Sequence, residues 1–400
     1  METIVNPSLA HTPPMGWNSW DCFGLDVTES EVRRNAEFMS RHLKEYGWEY
    51  IVVDLGWYAP GVNTGNYKNP NIPLLTDSFG RLIPVRERFP SSAGGRGFGP
   101  LADHIHSLGL KFGIHIMRGI PWISVEQRLP VKGTHVSCAD IADRTDRCLW
   151  YGSMYGVDCT KEGSQEYYDS LVELYTAWGV DFIKADDMGS WDGDGLNSPL
   201  RTDEIAALSE AIRKHGNRIV LSISPGAAYV GNARFLGNHA HMWRISCDFW
   251  DDWSALKRQF PRCAAWAVRR QPGRWPDADM LPLGKIGIRG EVGRERYTHF
   301  TQDEQRTLIS LWCIFRSPLM FGGDLSQADD FTLRLLCNRQ VLEICRCSTG
   351  NRQVLAAGDI VVWVAEHPEK GLRYTAIFNL GENSVDVAGL QDVPRGCCRD

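Results

Sequence analysis

At 400 residues with a formal net charge of −6, the chain is long enough for a barrel of roughly 250 to 330 residues plus an appendage, and it lacks the basic footprint of a nucleic-acid binder. No stretch approaches the roughly 20 apolar residues of a membrane span, and Met1–Val5 lacks the basic start and apolar run of a secretory leader. The twelve cysteines form no C-x-x-C pair, which predicts reduced thiols and a cytoplasmic protein.

The elements predicted in chain order alternate strand and helix. Residues 15–20 form a short first strand, and Thr28-Glu29-Ser30-Glu31 is a capping box ahead of Val32, Ala36, Met39 and Leu43 at helical spacing, stopped by Gly47. Residues 50–54 make strand two, 100–108 a helix and 111–116 strand three. A helix over 164–178 leads into Gly179–Gly189, an apolar run bounded by glycines that reads as a buried parallel strand, the fourth. A helix over 203–215 precedes strand five at 218–224, and 242–246 is strand six. Residues 277–281 mark the end of strand seven, and 319–324 give strand eight after an apolar helix around 308–315. Eight such units predict a closed (β/α)8 TIM barrel over residues 1–335. An open doubly wound sheet is the alternative, but no glycine-rich phosphate fingerprint follows the first strand.

Two insertions, 59–99 and roughly 118–160, leave from the C-terminal side of strands two and three. Loops of that length are uncommon in a compact domain unless they cap a site or are disordered, so they are expected to wall a pocket. From about residue 340 the pattern changes to short alternating runs at 354–356, 360–364, 374–380 and 384–387. A small C-terminal antiparallel β domain over 340–400 is expected, with room for four or five strands, either truncated or completed by a partner.

Chemistry gathers at strand ends. Strand four finishes in Lys184-Ala185-Asp186-Asp187, and charges placed where a core strand ends must be paired, solvated or used. Lys184 and Asp186 point to one side of the strand and Asp187 to the other. Strands four and six end on the same rim, which lets Asp186 and Asp248 face each other, as a two-carboxylate glycoside hydrolysis requires. Asp251 and Asp252 nearby would raise the pKa of Asp248 toward that of an acid, and Arg244 would offset the cluster or hold a hydroxyl. The competing readings are an inert buried ion pair for Lys184 and Asp186, a solvated acidic loop around Asp248 and a plain surface arginine at 244. Fifteen tryptophans, several beside Gly or Asp at strand ends, are a weak pointer to a carbohydrate ligand, core packing being the more usual role of any single one.

The motifs PPMGWNSW (13–20), VDLGW (53–57), KAD (184–186), RISCDFWDD (244–252), DADML (277–281) and SPLM (317–320), followed by the β tail, occur in order. With them the whole chain resembles glycoside hydrolase family 27, the α-galactosidase family. The resemblance implies a retaining exo-glycosidase acting without cofactor or metal on a glycoside or oligosaccharide. It implies Asp186 as nucleophile, Asp248 as general acid/base, Trp20 and Trp57 as apolar walls, and Asp54, Lys184, Arg244 and Asp279 as sugar-binding groups. Met280 is expected to pack.

Three positions depart from the family pattern. Leu55 replaces the second of two consecutive aspartates, the one that serves the hydroxymethyl group of galactose. Leucine gives that hydroxyl no partner, and β-L-arabinopyranose has the ring stereochemistry of α-D-galactose without C6, so the change favours arabinopyranosides. His115 stands where tyrosine is usual and Ser224 where glutamate is common, both facing the expected pocket; a hydrogen-bonded structural histidine is the alternative for His115.

Two other classes compete. A metal-dependent barrel hydrolase would draw on His104-Ile105-His106 or His239-Ala240-His241, but residues two apart on a helix do not share a face, and the second pair precedes strand six. Cys345/Cys347 and Cys397-Cys398 lack partners at zinc spacing. A non-catalytic sugar-binding barrel would keep Trp20, Trp57 and Asp54 but need neither Asp186 nor Asp248. No membrane or nucleic-acid partner is expected, and a homo-oligomer is compatible with the sequence.

Overall fold

In the computed structural model, which describes residues 4–190 and 199–386, the apolar runs at the expected positions become eight parallel strands. These are β1 (Met15–Asn18), β2 (Tyr50–Val53), β3 (Lys111–Met117), β4 (Phe182–Asp186), β5 (Val220–Ser224), β6 (Met242–Arg244), β7 (Trp275–Asp277) and β8 (Leu319–Phe321). They neighbour one another in the order β7-β6-β5-β4-β3-β2-β1-β8. The ring closes just past β7, where Leu281 N–H donates to Met320 O at 2.8 Å and Gly322 N–H to Leu281 O at 2.9 Å. A helix follows each strand, beginning with Glu29–His42, whose Thr28/Glu31 capping box forms as expected, and including Ser164–Ala177 and Thr202–Lys214. The helices Ala233–His239 and Trp253–Ala267, which complete the rhythm after β5 and β6, were not read from the sequence.

The alternation within each strand explains how one barrel interior serves both stability and chemistry. On β4, Ile183 and Ala185 join the core between sheet and helices, whereas Phe182, Lys184 and Asp186 point inward. At the barrel floor the inward row is apolar: Tyr50, Val52, Phe182, Val220, Met242, Trp275 and Met320 pack together, with Tyr50 and Phe182 ring centroids 5.4 Å apart. Toward the C-terminal rim the same rows become polar. The register pairs His115 with Lys184, Lys184 with Ser222, Asp186 with Ser224 and Asp277 with Arg244. The floor excludes water below, and the rim gathers ionisable groups above.

Both insertions differ from plain loops. The second carries its own antiparallel sheet, in which Met154–Val157 lies between Ile120–Pro121 and Ala142–Arg147. At the C-terminal end a helix, Arg339–Cys347, occupies the start of the region read as β domain. It is followed by the antiparallel strands β9 (Thr349–Ala357), β10 (Ile360–Glu366) and β11 (Arg373–Asn379). Residues 384–386 are not a strand, and Val387, with Cys397-Cys398, lies outside the described residues. The sheet packs on the barrel helices through edge-to-face contacts of Phe378 with Phe260 and Trp363 with Phe315. Among the described residues no helix is long and apolar enough to cross a membrane.

His241, one of the histidines weighed for metal binding, is buried in the fold instead. Its Nδ1 accepts from Leu221 N–H at 3.0 Å, so Nε2 carries the proton and donates to Asn6 O at 2.9 Å. Burial, opposed by the Asn6 bond, pushes its pKa down to about 4. The unfolded chain takes up the proton first, near pH ~6.5, so this contribution to stability is complete above that pH and is lost as pH falls toward 4. Denaturant titrations are expected to show stability falling over that window, by up to on the order of 3 kcal/mol from this group. His241→Gln should flatten the slope, and an unchanged slope would assign it to other groups.

Candidate active site

The rim residues enclose a cavity of about 280 Å³, close to the lower end of small-ligand pockets at ~300 Å³, which suits one sugar ring better than an extended chain. It is lined by Trp20, Asp54, Leu55, His115, Lys184, Asp186, Ser224, Arg244, Asp248 and Asp279, so ten of the eleven expected site residues converge there. Trp57 does not. It is fully buried beneath the rim, set edge-to-face against Tyr58, Phe98 and Trp178, and its Nε1 donates to His115 O at 2.8 Å. The expected wall is thus a core residue that fixes the strand carrying His115.

Asp186 ends β4 with both oxygens engaged. His115 Nε2 donates to Oδ2 at 3.1 Å and Asp187 N–H donates to Oδ1 at 2.8 Å. Burial works against its charge, but the His115 bond, the His115 and Lys184 charges and the Asp187 N–H prevail and hold it well below the usual carboxylate range. His115 Nδ1 is buried without a partner, so this histidine is devoted to the carboxylate.

Lys184, which the competing reading paired with Asp186, bonds Asp54 instead, its Nζ lying 2.8 Å from Oδ2. Asp54 also accepts from Asn18 Nδ2 at 2.7 Å and from Leu55 N–H at 2.8 Å. Burial would raise Asp54, and Lys184 and His115 reverse the sign, leaving it lowered. Lys184 still acts on Asp186 through space: burial lowers its pKa, Asp54 and Asp186 raise it further, and it stays charged.

Asp248, on the loop after β6, is the open member of the pair. Its side chain is 67% exposed against 21% for Asp186. The expected acidic cluster around it dissolves in the fold. Asp251 is buried and ion-paired with Arg296 at 2.6 Å, and Asp252 caps the helix Trp253–Ala267 by accepting from Ala255 N–H. Its neighbours are instead Arg244 Nη2, 3.2 Å from Asp248 and 2.7 Å from Asp279. Arg244 is therefore chiefly a bridge between carboxylates. Asp279 adopts φ +88°, a left-handed conformation that a non-glycine residue rarely takes, and accepts from Phe249 N–H at 2.7 Å. Burial raises its pKa, Arg244 opposes this, and Asp248 and Asp277 add to it.

Several contributors carried no sequence signal. Arg118, one residue past β3, is buried among Asp187, Asp146 and Glu204, at 3.0, 3.0 and 2.7 Å. It holds Asp187, also at positive φ, so that the Asp187 N–H meets Asp186. Burial, eased by Arg118 and reinforced by Asp186, pushes Asp187 up to about 6. Tyr67 and Lys68 of the first insertion and Trp150 of the second line the cavity, as expected of capping loops. Phe249, Trp250, Glu291 and Met280, the last expected only to pack, also line it, and the Tyr67 hydroxyl donates to Glu291. The histidine pairs do not converge: His106 meets Asp181, and His239 Nδ1 lies 2.8 Å from Phe235 O. Among the described residues no three His, Cys, Asp or Glu side chains gather as a metal site.

One enclosed, ionised carboxylate and one open carboxyl on a single sugar-sized cavity are the elements of a two-step displacement at an acetal carbon. Comparison with known proteins finds glycosidases. The family model described as alpha galactosidase A matches residues 125–346. The chain is 52% identical to a GH27 β-L-arabinopyranosidase from Geobacillus stearothermophilus, with a TM-score of 0.91 over 94% of this chain and 86% of that one. It is 26% identical to alpha-galactosidase 2 of Arabidopsis thaliana over 96% of this chain and 79% of that protein. Human alpha-galactosidase A is 27% identical over 94% and 76%.

Proposed function

The chain belongs to the α-galactosidase family of glycoside hydrolases, family 27, and on that premise we propose that it removes terminal β-L-arabinopyranosyl residues by double displacement with retention, α-D-galactosides being the poorer substrates. Asp186 attacks the anomeric carbon and Asp248 delivers its proton to the departing glycosidic oxygen, leaving a glycosyl-enzyme ester. Asp248 then takes a proton from water, whose oxygen displaces Asp186 at the same carbon. The division of roles follows accessibility. An attacking group works from beneath the ring, while the acid/base must reach both aglycone and water.

The observation that carries the sugar preference is Leu55. It lines the cavity beside Asp54, whose two oxygens already hold Asn18, Lys184 and the Leu55 N–H. A C6 hydroxyl there would lose water without gaining a hydrogen bond, whereas a pentopyranose has no such group to desolvate. The 52% identical relative is a β-L-arabinopyranosidase, which supports the same choice.

Side-by-side kcat/KM values on p-nitrophenyl β-L-arabinopyranoside and α-D-galactopyranoside test it. The wild type is expected to favour the arabinopyranoside, and Leu55→Asp should move the ratio toward the galactoside by at least about tenfold. The ratio does not depend on how much enzyme is folded, so any stability cost of the buried aspartate leaves it readable. An unmoved ratio would make Leu55 irrelevant to specificity.

A further inference from the structure

Asp21 is a carboxyl in the cavity wall for which the displacement has no use. It follows Trp20 on the short helical turn Trp20–Phe23 and lines the cavity while only 3% exposed. Its Oδ2 is buried without a hydrogen-bond partner. On that side it packs on the backbone of Gly322 just past β8, where an added Cβ would lie 1.9 Å from Oδ2. A buried polar group with no protein partner is uncommon and calls for an explanation, and here the residue that carries it lines a ligand cavity.

We propose that Asp21 binds the glycone, its carboxyl hydrogen-bonding a ring hydroxyl of the pyranose that fills this cavity. Burial, then the charge of Asp279, hold its pKa well above the usual carboxylate range, with Asp54 and Asp248 adding to the effect and Lys184 opposing it. That direction favours the protonated carboxyl, a form that can donate a hydrogen bond, whereas the lowered Asp54 and Asp186 only accept. The residue is thereby a specificity determinant for a hydroxyl that needs a donor.

The proposal rests on the pyranosidase assignment, and wild-type turnover of the two chromogenic glycosides tests that assignment separately. The test of Asp21 uses full-length wild type, Asp21→Asn and Asp21→Ala against the preferred p-nitrophenyl pyranoside and its monodeoxy analogues. Asn keeps an N–H donor and should leave KM within about threefold, whereas Ala should raise KM about tenfold or more. Against the one deoxy analogue lacking the bound hydroxyl, Ala should cost nothing further, since the partner is already gone. Asp21→Ser provides the same parent-to-deoxy ratio should Ala fail to fold. An equal loss on every analogue, no loss at all, or a loss in Asn as large as in Ala would overturn the role of Asp21. Absence of wild-type turnover would overturn the glycosidase assignment along with it.

Discussion

Asp186→Asn is expected to lower kcat by ~10⁴-fold or more while leaving the protein folded, because an amide cannot form the glycosyl ester. The surroundings make this a clean substitution. Oδ1 accepts the Asp187 N–H and Oδ2 the His115 Nε2–H, and an amide oxygen keeps one of these bonds in either orientation. Lys184 retains Asp54 as its direct partner, so no buried ammonium is stranded. Trp20, Asp54 and Lys184, which line the same cavity, are left in place, so KM should stay within a few-fold and the loss should fall on kcat. Steady-state rates on the chromogenic pyranoside, with thermal unfolding in parallel, measure it. Activity within tenfold of wild type would remove Asp186 from the attack.

Asp248→Ala is expected to separate the two halves of the reaction. p-Nitrophenolate leaves with little help from an acid, so the glycosyl ester still forms, but the attacking water has lost its base. Turnover should fall by roughly 10²- to 10⁴-fold and stall at the ester. Azide needs no deprotonation, and the deleted side chain opens the solvent side on which Asp248 lies. Adding azide should therefore restore much of the rate and yield a glycosyl azide with the anomeric configuration of the substrate, read by proton NMR. A methyl glycoside, whose leaving group requires protonation, should not be rescued. An azide of opposite configuration would exclude the ester intermediate. No rescue by azide, combined with equal loss on both leaving groups, would move the acid/base role elsewhere.

Much of the site is written in local patterns. Lys184 and Asp186 share a face because strand side chains alternate, and the helix at Glu29–His42 starts where its capping box says it should. Trp57 shows the limit of such patterns. A tryptophan just past a strand end reads identically whether it turns to the cavity or to the helices, and Phe98 and Trp178, from distant segments, make the second choice favourable. The acidic run near Asp248 shows another. Arg296 removes Asp251 from the cluster, and a partner 45 residues away leaves no trace in the run itself.

The chain by itself determined the alternation of strand and helix, and with it the barrel, the rim on which Asp186 and Asp248 end up and the replacement of a carboxylate by Leu55. These depend on residue order within a few turns, where periodicity and caps act directly. Only the tertiary structure decided which charge meets which: Lys184 with Asp54, Arg244 between Asp248 and Asp279, Arg118 holding Asp187, and Asp21 Oδ2 left without a hydrogen bond. Inside a cavity that excludes water, the energy of a charge depends on its neighbours within a few ångströms, and the closed ring draws those neighbours from strands far apart in the chain.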